Sequence, residues 1–363
     1  MPRSLCVVGH LMLPLLERTD DPVVGGAEVQ SFHLAEELVR RGWRLEFLVC
    51  ALDDAPARVR QTPLGPARVL YRRRTSKSLG DKVREKLALY EALRHVDTDL
   101  VFERAVWDAD VAALACRSRR RPFVYGLASD RDAVALPRWS RRRSALRLAS
   151  AIVAQTESQR DWARRYGCES TCIGSGFPVP EPGAGPKRDV LWVGTLRRLK
   201  RPEIFLDLAA AMPEHSFVLC GGPGEEPSLA AQVAARAATL PNLRYEGFVP
   251  YRDIQARFAS ARVLVNTSTY EGFPNTFVLA WLHGAVVVSL GVDPDGLLMR
   301  QGLGIATPDV GALQAALRRL LADDATRDAI AIRSRAWAER QHDIRRIADQ
   351  YEALFEAVLR RRH

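Results

Sequence analysis

The sequence has no apolar run long enough to cross a bilayer. A spanning helix needs roughly 18 to 20 consecutive apolar residues, and no stretch of the 363 residues approaches that. The start, MPRSLCVVGHLMLPLLER, has no small-residue cleavage site behind its apolar stretch, so no secretory signal is expected. Residues 4 to 9 read instead as a first buried strand. A soluble protein, or one peripheral to a membrane, is the expectation. Cysteine is sparse, with six residues at positions 6, 50, 116, 168, 172 and 220. Cys6, Cys50 and Cys220 fall in apolar runs, where cysteine behaves as a small hydrophobe. Cys168 and Cys172 are separated by three residues, not the two of a redox or zinc knuckle. Reduced thiols in a cytosolic protein follow, with no metal site. No internal repeat or low-complexity tract stands out, so a largely ordered chain is expected.

Hydrophobic residues make up 47% of the chain and charged residues 26%, an ordinary globular balance. The length favours two domains. Net charge is +10, and residues 51–150 hold the whole excess, with 22 Lys and Arg against 12 Asp and Glu. The densest parts are YRRRTSK (71–77), RSRRRP (117–122) and RWSRRRSALR (138–147). A solvated arginine-rich surface explains these runs in structural terms. A basic face meeting anionic lipid headgroups or an acidic acceptor is the functional reading. Nucleic acid is discounted, because the runs lack interleaved aromatics and no nucleic-acid module is visible.

Strand-like runs alternate with helical patterns. The first half gives LCVVG (5–9), LEFLVC (45–50), ARVLY (67–71), LVFE (100–103), FVYGL (123–127) and AIVAQ (151–155), with a helix over 27–42 stopped by Gly42. A Gly- and Pro-rich stretch, GSGFPVPEPGAGPKRD (174–189), then reads as a linker. Alternation resumes with DVLWVG (189–194), SFVLCGG (216–222), LRYEGF (243–248), ARVLV (261–265), AVVVSL (285–290) and GIATPD (304–309), and a long amphipathic helix ends the chain. The pattern predicts an α/β protein of two Rossmann-like domains, residues 1–180 and 186–340, with a helix over 341–363. Ligands of such sheets bind at the carboxyl ends of the strands, so a cleft between the two halves is the expected site.

Three glycine-rich junctions carry the candidate chemistry. Gly25 and Gly26 stand immediately before a helix, where free N–H groups and the helix dipole suit an anion; a plain helix start explains them equally well. In VLWVGTLRRLKRPE a buried strand ends at Gly194, and Arg197, Arg198, Lys200 and Arg201 follow, a cationic loop fit to neutralise a diphosphate or simply a solvated one. In TYEGFPNTFVLAW, Glu271 follows a strand, and Gly272 to Thr276 lead into the next helix with backbone N–H groups suited to phosphate or sugar oxygens. Asn275 or Thr276 is expected to cap that helix. A carboxylate beside free amides accepts from hydroxyl groups, as a sugar would offer.

Together these residues resemble the family 4 glycosyltransferases, which have the GT-B fold. The resemblance runs through nearly the whole chain: GGAE, strand-VGTL-x-x-x-K, GGP (221–223), EGF-VP (246–250), EGFPNTF and HGAVVVSL, in that order. It implies transfer of a sugar from a nucleoside-diphosphate donor to an acceptor, with retention and without a metal, and no cofactor beyond the nucleotide sugar as co-substrate. It implies that the final helix crosses back to the N-terminal domain, which holds the acceptor side. Lys200 matches the family's phosphate-binding lysine, and Glu271 the first acid of its paired-acid motif, which contacts the donor sugar. Gly25 and Gly26 match the glycine loop facing the diphosphate, and Gly222 falls in the GGP motif on the donor side. The backbone around Phe248 would flank the base. The stretch Gly272, Phe273, Pro274, Asn275, Thr276 would reach sugar and phosphates through its amides.

Three positions depart from the family. The second acid, expected on the ribose, is Leu279; losing a charged acceptor there costs on the order of 1.5 to 3 kcal/mol in donor binding. The arginine expected after the strand glycine is Thr195, with Arg197 or Arg198 as substitutes. The first-domain histidine is missing at Ala128–Asp132, where Asp130 is the polar group expected to be presented to the cleft as a catalytic residue beside Glu271 and Lys200, or else caps a turn. EGFPNTF and VDPDG (292–296) look like a bacterial exopolysaccharide or cell-surface glycan branch. The expected partners are a nucleotide sugar, a glycan or lipid-linked acceptor, and the inner face of the plasma membrane through residues 51–150. The departures also motivate a different class, an inactive GT-B protein binding within a glycan assembly complex. A nucleotide-sugar epimerase of the same fold lacks its carboxylates and histidines here.

Overall fold

The computed structural model describes residues 3–19, 25–51, 59–72, 78–104, 108–128, 141–181, 183, 185–224 and 226–361. It divides into two compact units, Met1–Pro178 with Ile344–His363, and Val179–Asp343.

The first unit is built on an eight-stranded sheet. Its strands are β1 (Ser4–Val8), β2 (Arg44–Ala51), β3 (Val59–Thr62), β4 (Gly65–Arg72), β5 (Leu100–Arg104), β6 (Phe123–Gly126), β7 (Ala151–Ala154) and β8 (Thr171–Cys172), in the order β3-β4-β2-β1-β5-β6-β7-β8. Every pairing is parallel except the β3–β4 hairpin. The inner strands are largely apolar on both faces, as a parallel sheet covered on both sides requires. Leu5, Val7, Phe47 and Phe102 face one core, and Cys6, Val8, Leu48 and Val101 the other. The second core is closed by Leu89, Leu93, Ala112, Ala113 and Cys116 from helices Leu79–His95 and Ala109–Ser118.

The first core is closed by helix Gly26–Arg40 and by the last helix, Ile344–Arg360. Buried Ile344, Ile347, Ala348, Tyr351, Phe355 and Val358 follow the helical repeat along one stripe of that last helix. Burying Tyr351 and Phe355 stabilises by about 1.5–3 kcal/mol each. At its rim Arg41 pairs with Asp349 and Glu352 at 2.6 Å each, and the Trp43 indole donates to Glu352 at 2.7 Å.

The second unit holds six parallel strands, β9 (Asp189–Val193), β10 (Ser216–Cys220), β11 (Leu243–Gly247), β12 (Ala261–Asn266), β13 (Val286–Leu290) and β14 (Gly304–Thr307), in the order β11-β10-β9-β12-β13-β14. In sequence rank this is the doubly wound order 3-2-1-4-5-6, which reverses direction between β9 and β12. A ligand of such a sheet sits outside the carboxyl ends of the strands at that reversal.

Two features differ from the sequence reading. The β3 edge strand is polar and alternates in exposure, so it carries no apolar signal. It is tied to β4 through Gly65, where a φ of 135° and the 2.3 Å at which a Cβ would stand from the Leu45 carbonyl oxygen admit only glycine. The helix after Glu271 runs Asn275–Leu282 with Pro274 as N-cap and no side-chain cap, so neither Asn275 nor Thr276 caps it. Proline's fixed φ sets the extended turn, and the chain is already helical at Asn275. None of the six cysteines forms a disulfide.

Candidate functional site

The loops after β9 and β12 meet at the point of reversal. After β9 the chain passes Gly194 and exposed Thr195, makes a short 3-10 turn at Arg198–Lys200, and enters helix Pro202–Ala211. After β12 it runs through Asn266, Thr267, Ser268 and Thr269 to Glu271. The two loops are stitched by backbone and side-chain bonds. Thr269 N donates to the Leu199 carbonyl at 2.8 Å, and the Thr267 hydroxyl donates to the Lys200 carbonyl at 2.5 Å. Arg201 sits in the left-handed region at φ 46°, and its guanidinium donates to the carbonyls of Thr267 (2.6 Å) and Ser268 (3.1 Å). The strained Arg201 backbone is held by contacts to the neighbouring loop.

This stitching brings Lys200 and Glu271 together as an ion pair, Nζ donating to Oε1, with side chains 24% and 16% exposed. The Ser268 hydroxyl donates to the same carboxylate oxygen at 2.7 Å. Ser268 is itself fixed by Asn266, whose side-chain oxygen accepts from the Ser268 amide at 3.1 Å. Asn266, Thr267 and Ser268 are buried, so Glu271 stands on a rigid polar base. Sequence reasoning missed Ser268 and Asn266. The signal was present, since N-T-S-T is a polar quartet ending an apolar strand.

Beyond Glu271, Gly272, Phe273, Asn275 and Thr276 are half-buried and Pro274 is buried. The Phe273 ring packs against His342, centroids 5.1 Å apart, and Trp281 at 6.3 Å. Trp337 extends this cluster at 5.3 Å from Trp281. The Phe273 side chain thus anchors the loop, and the uncapped first turn of helix Asn275–Leu282 starts beside Glu271. Leu279 lies on that helix, 6% exposed, and offers apolar surface where an acid was the comparison.

The GGP turn is shaped by close approach of backbones. A Cβ on Gly221 would stand 2.6 Å from the Gly194 carbonyl, and one on Gly222 would stand 3.0 Å from Phe248 Cβ. So Gly222 and half-buried Phe248 are in contact, at the ends of β10 and β11. Of the cations after Gly194, Arg198 pairs with Glu226 at 2.9 Å, and exposed Arg197 packs its stem beside Gly224. Glu246 is structural: burial pushes it up, but hydrogen bonds from Arg257 and Arg244 outweigh this and hold it below the usual carboxylate range. In VDPDG, Asp293 accepts from the Leu298 amide at 2.7 Å, in the first turn of the short helix Leu297–Arg300.

Gly25 and Gly26 belong to the other unit. Gly25 is the N-cap and Gly26 the first residue of helix Gly26–Arg40, with no side-chain cap. The Glu28 carboxylate folds back to 2.4 Å from where a Gly25 Cβ would stand, so an acid of the first turn already lies at that terminus. Asp130 lies outside the described residues. Among the described residues no three His, Cys, Asp or Glu side chains form a group fit for a metal, and no helix is long and apolar enough to cross a membrane.

Residues 24–176 match the profile of Glycosyltransferase Family 4, and residues 187–323 that of Glycosyl transferases group 1. The O-antigen chain mannosyltransferase B of Escherichia coli is 29% identical over 155 residues, spanning 41% of this chain and 41% of that protein. The match therefore covers about two fifths of the relative's length. The sucrose-phosphate synthase of Thermosynechococcus elongatus superposes with a TM-score of 0.79 at 18% identity, over 98% of this chain and 99% of that one. Anabaena HepE in complex with UDP and glucose gives a TM-score of 0.75 at 19% identity, over 98% and 100%. At these identities the likeness to solved structures is one of fold.

Proposed function

Because the chain belongs to the family 4 glycosyltransferases and has their GT-B fold, we propose that it moves a sugar from a nucleoside-diphosphate donor to a glycan or lipid-linked acceptor in bacterial surface-glycan synthesis. The observation that carries this reading is the Lys200–Glu271–Ser268 cluster at the reversal point of the second sheet. A cation for phosphate and a carboxylate for sugar hydroxyls stand side by side, next to the uncapped helix at Asn275.

Donor binding exchanges partners. The Lys200 ammonium turns from Glu271 to the diphosphate, and Glu271, still held by Ser268, accepts from hydroxyls of the sugar. The bond from the anomeric carbon to the phosphate oxygen breaks, and its electron pair goes to the diphosphate. The acceptor hydroxyl oxygen bonds to that carbon, and its proton passes to the departing phosphate oxygen. Retention follows when the acceptor attacks from the face the phosphate leaves. Lys200 and the helix amides stabilise the charge growing on the diphosphate, so no metal is required in this scheme. Leu279 leaves the ribose one fewer charged acceptor. The excess of cations in residues 51–150 would hold the protein at the inner face of the plasma membrane, at roughly 1 kcal/mol per cation that reaches an anionic surface.

The test is a thermal-shift screen of the purified protein against UDP, GDP, ADP and their sugar conjugates. A concentration-dependent rise with one nucleotide is expected, and it names the base. No rise with any would replace this reading by that of an inactive binding partner, with Leu279 as the first cause to examine.

A further inference from the structure

Among the described residues, Arg104 is a buried cation without a counter-charge. It ends β5 on the face covered by helices Gly26–Arg40 and Ile344–Arg360, and the whole residue is 5% exposed. Among the described residues no carboxylate pairs with it. Its Nη1 donates to the Tyr351 hydroxyl at 3.1 Å, while Nε and Nη2 are buried with no partner. These two nitrogens form one edge of the guanidinium, the edge whose parallel N–H bonds grip a carboxylate or phosphate oxygen pair. The Tyr351 oxygen accepts from Arg104, and among the described residues nothing accepts the phenol's own hydrogen. Burial holds the arginine below its ordinary value and pushes the Tyr351 phenol up, so the tyrosine stays neutral and supplies no charge.

The space around this edge is constructed. Arg104 and Tyr351 line a small cavity with Gln30, Ser31, Gly174 and Gly176. On the neighbouring strand β6 the residue paired with Arg104 is Gly126, and a Cβ there would stand 3.2 Å from Arg104 Cγ, so glycine leaves room for the side chain. Gly176 brings its backbone so close to the last helix that a Cβ would stand 2.7 Å from Ile344 Cδ1. The polar lining is itself fixed: the Gln155 amide donates to Gln30 at 3.1 Å and to Ser175 at 2.9 Å. An uncompensated buried charge is among the costliest features a fold can carry. The Nε–Nη2 edge of Arg104 and the Tyr351 hydroxyl are donors at this cavity, and among the described residues no carboxylate answers them.

We propose that this cavity is a binding site for one small anion, a halide or the oxygen pair of a carboxylate or phosphate, held on the Nε–Nη2 edge of Arg104 with the Tyr351 hydroxyl as a further donor. The bound anion supplies the missing counter-charge, and so tightens the seat of the last helix against helix Gly26–Arg40 and the Gly174–Gly176 segment within the first unit. The site belongs to the first unit and the Lys200–Glu271 cluster to the second, and the inference does not depend on the function proposed above.

The experiment is thermal unfolding of the full chain at fixed ionic strength. Sodium gluconate is replaced stepwise by sodium chloride, bromide, formate or phosphate. The expected result is a saturable rise in midpoint of about 2–4 °C with at least one small anion. A response to chloride and bromide alone identifies a halide site; a response to formate or phosphate identifies an oxyanion site. Arg104→Met should abolish the response, and Tyr351→Phe should shift it to higher concentration. Because Arg104→Met removes a buried side chain and can fail to fold, crystals of the unaltered protein grown in bromide give a second measurement. Anomalous density on the Nε–Nη2 edge is expected for a halide site, and carboxylate density there, from formate-grown crystals, for an oxyanion site. Equal midpoints in all salts, or only water on that edge in both crystals, would overturn the proposal.

Discussion

Lys200 and Glu271, 71 residues apart in sequence, meet as a partly buried ion pair, and the Ser268 hydroxyl holds the carboxylate from beneath. The pair keeps both groups close before any donor arrives. Exposed ion pairs stabilise by about 0–1 kcal/mol, and this pair, with side chains 24% and 16% exposed, keeps some solvent contact for either group when the other is removed. Its two members are therefore separable by substitution without loss of fold. Lys200→Ala should weaken nucleoside-diphosphate binding by about 10- to 100-fold, the scale of a charge-assisted hydrogen bond. Calorimetric titration checks this. Glu271→Ala should lower turnover strongly with the unfolding midpoint nearly unchanged, and equal turnover in the variant would remove Glu271 from the reaction.

The Ser268 hydroxyl donates to Glu271, and in the proposed reaction it would orient that carboxylate rather than touch the donor. Ser268→Ala deletes one hydrogen bond to the carboxylate and leaves the Asn266 bond to the Ser268 backbone in place. Turnover should fall by about 10-fold, the scale of one hydrogen bond. Nucleoside-diphosphate affinity should change little. A variant whose affinity falls and whose turnover holds would assign Ser268 to the diphosphate instead.

Leu279 is 6% exposed on a helix whose residues 277–282 are all buried. Leu279→Glu should therefore lower the midpoint of the ligand-free protein, since a buried carboxylate without a partner is costly. If the side chain then reaches ribose hydroxyls, the nucleotide should raise the midpoint more in the variant than in the parent. An equal or smaller rise would mean that the pocket is shaped around the leucine.

His283 gives the second unit an acid sensitivity. Its ring stacks near Phe258, 6.2 Å between centroids, and Nε2 bonds Gln255 at 2.8 Å. Burial first, then the nearby charges of Lys187 and Arg335, pushes its pKa down to about 4 from 6.5. The unfolded chain takes up this proton as pH falls below 6.5, while the folded chain resists until about 4. The stabilisation is therefore complete above pH 6.5 and is lost on descent to 4, up to about 3 kcal/mol in all. His283→Gln should flatten the unfolding free energy between those pH values, measured by denaturant titration. An unchanged slope would place the acid sensitivity elsewhere.

The strands were legible because a parallel sheet buried on both faces writes each strand as a short unbroken apolar run. DVLWV and ARVLV could hardly be read otherwise. β3 and β8 were not legible, since short, partly exposed edge strands have no such run. At the site, Lys200 and Glu271 could be named from motif spacing, but their direct contact could not. It depends on Arg201 and Thr267 bonding across two loops that are distant in sequence. The helix start at Asn275 was misjudged because asparagine and threonine favour caps in general, whereas here the extended Pro274 turn fixes the boundary. The packing of Phe273 on His342 was invisible for the same reason as the ion pair, being a contact across 69 residues of chain that no local pattern records.

The last helix lies in the core of the first unit, so that unit is discontinuous in sequence while the second is one uninterrupted segment. During synthesis the order of completion is then the reverse of the order of the units. The second unit has its whole sequence available once residue 343 has emerged. The first, begun earlier, must wait with the apolar places of Tyr351 and Phe355 unfilled. Its hydrophobic surface stays open through the making of some 165 further residues, and this interval is where a chaperone would find the chain.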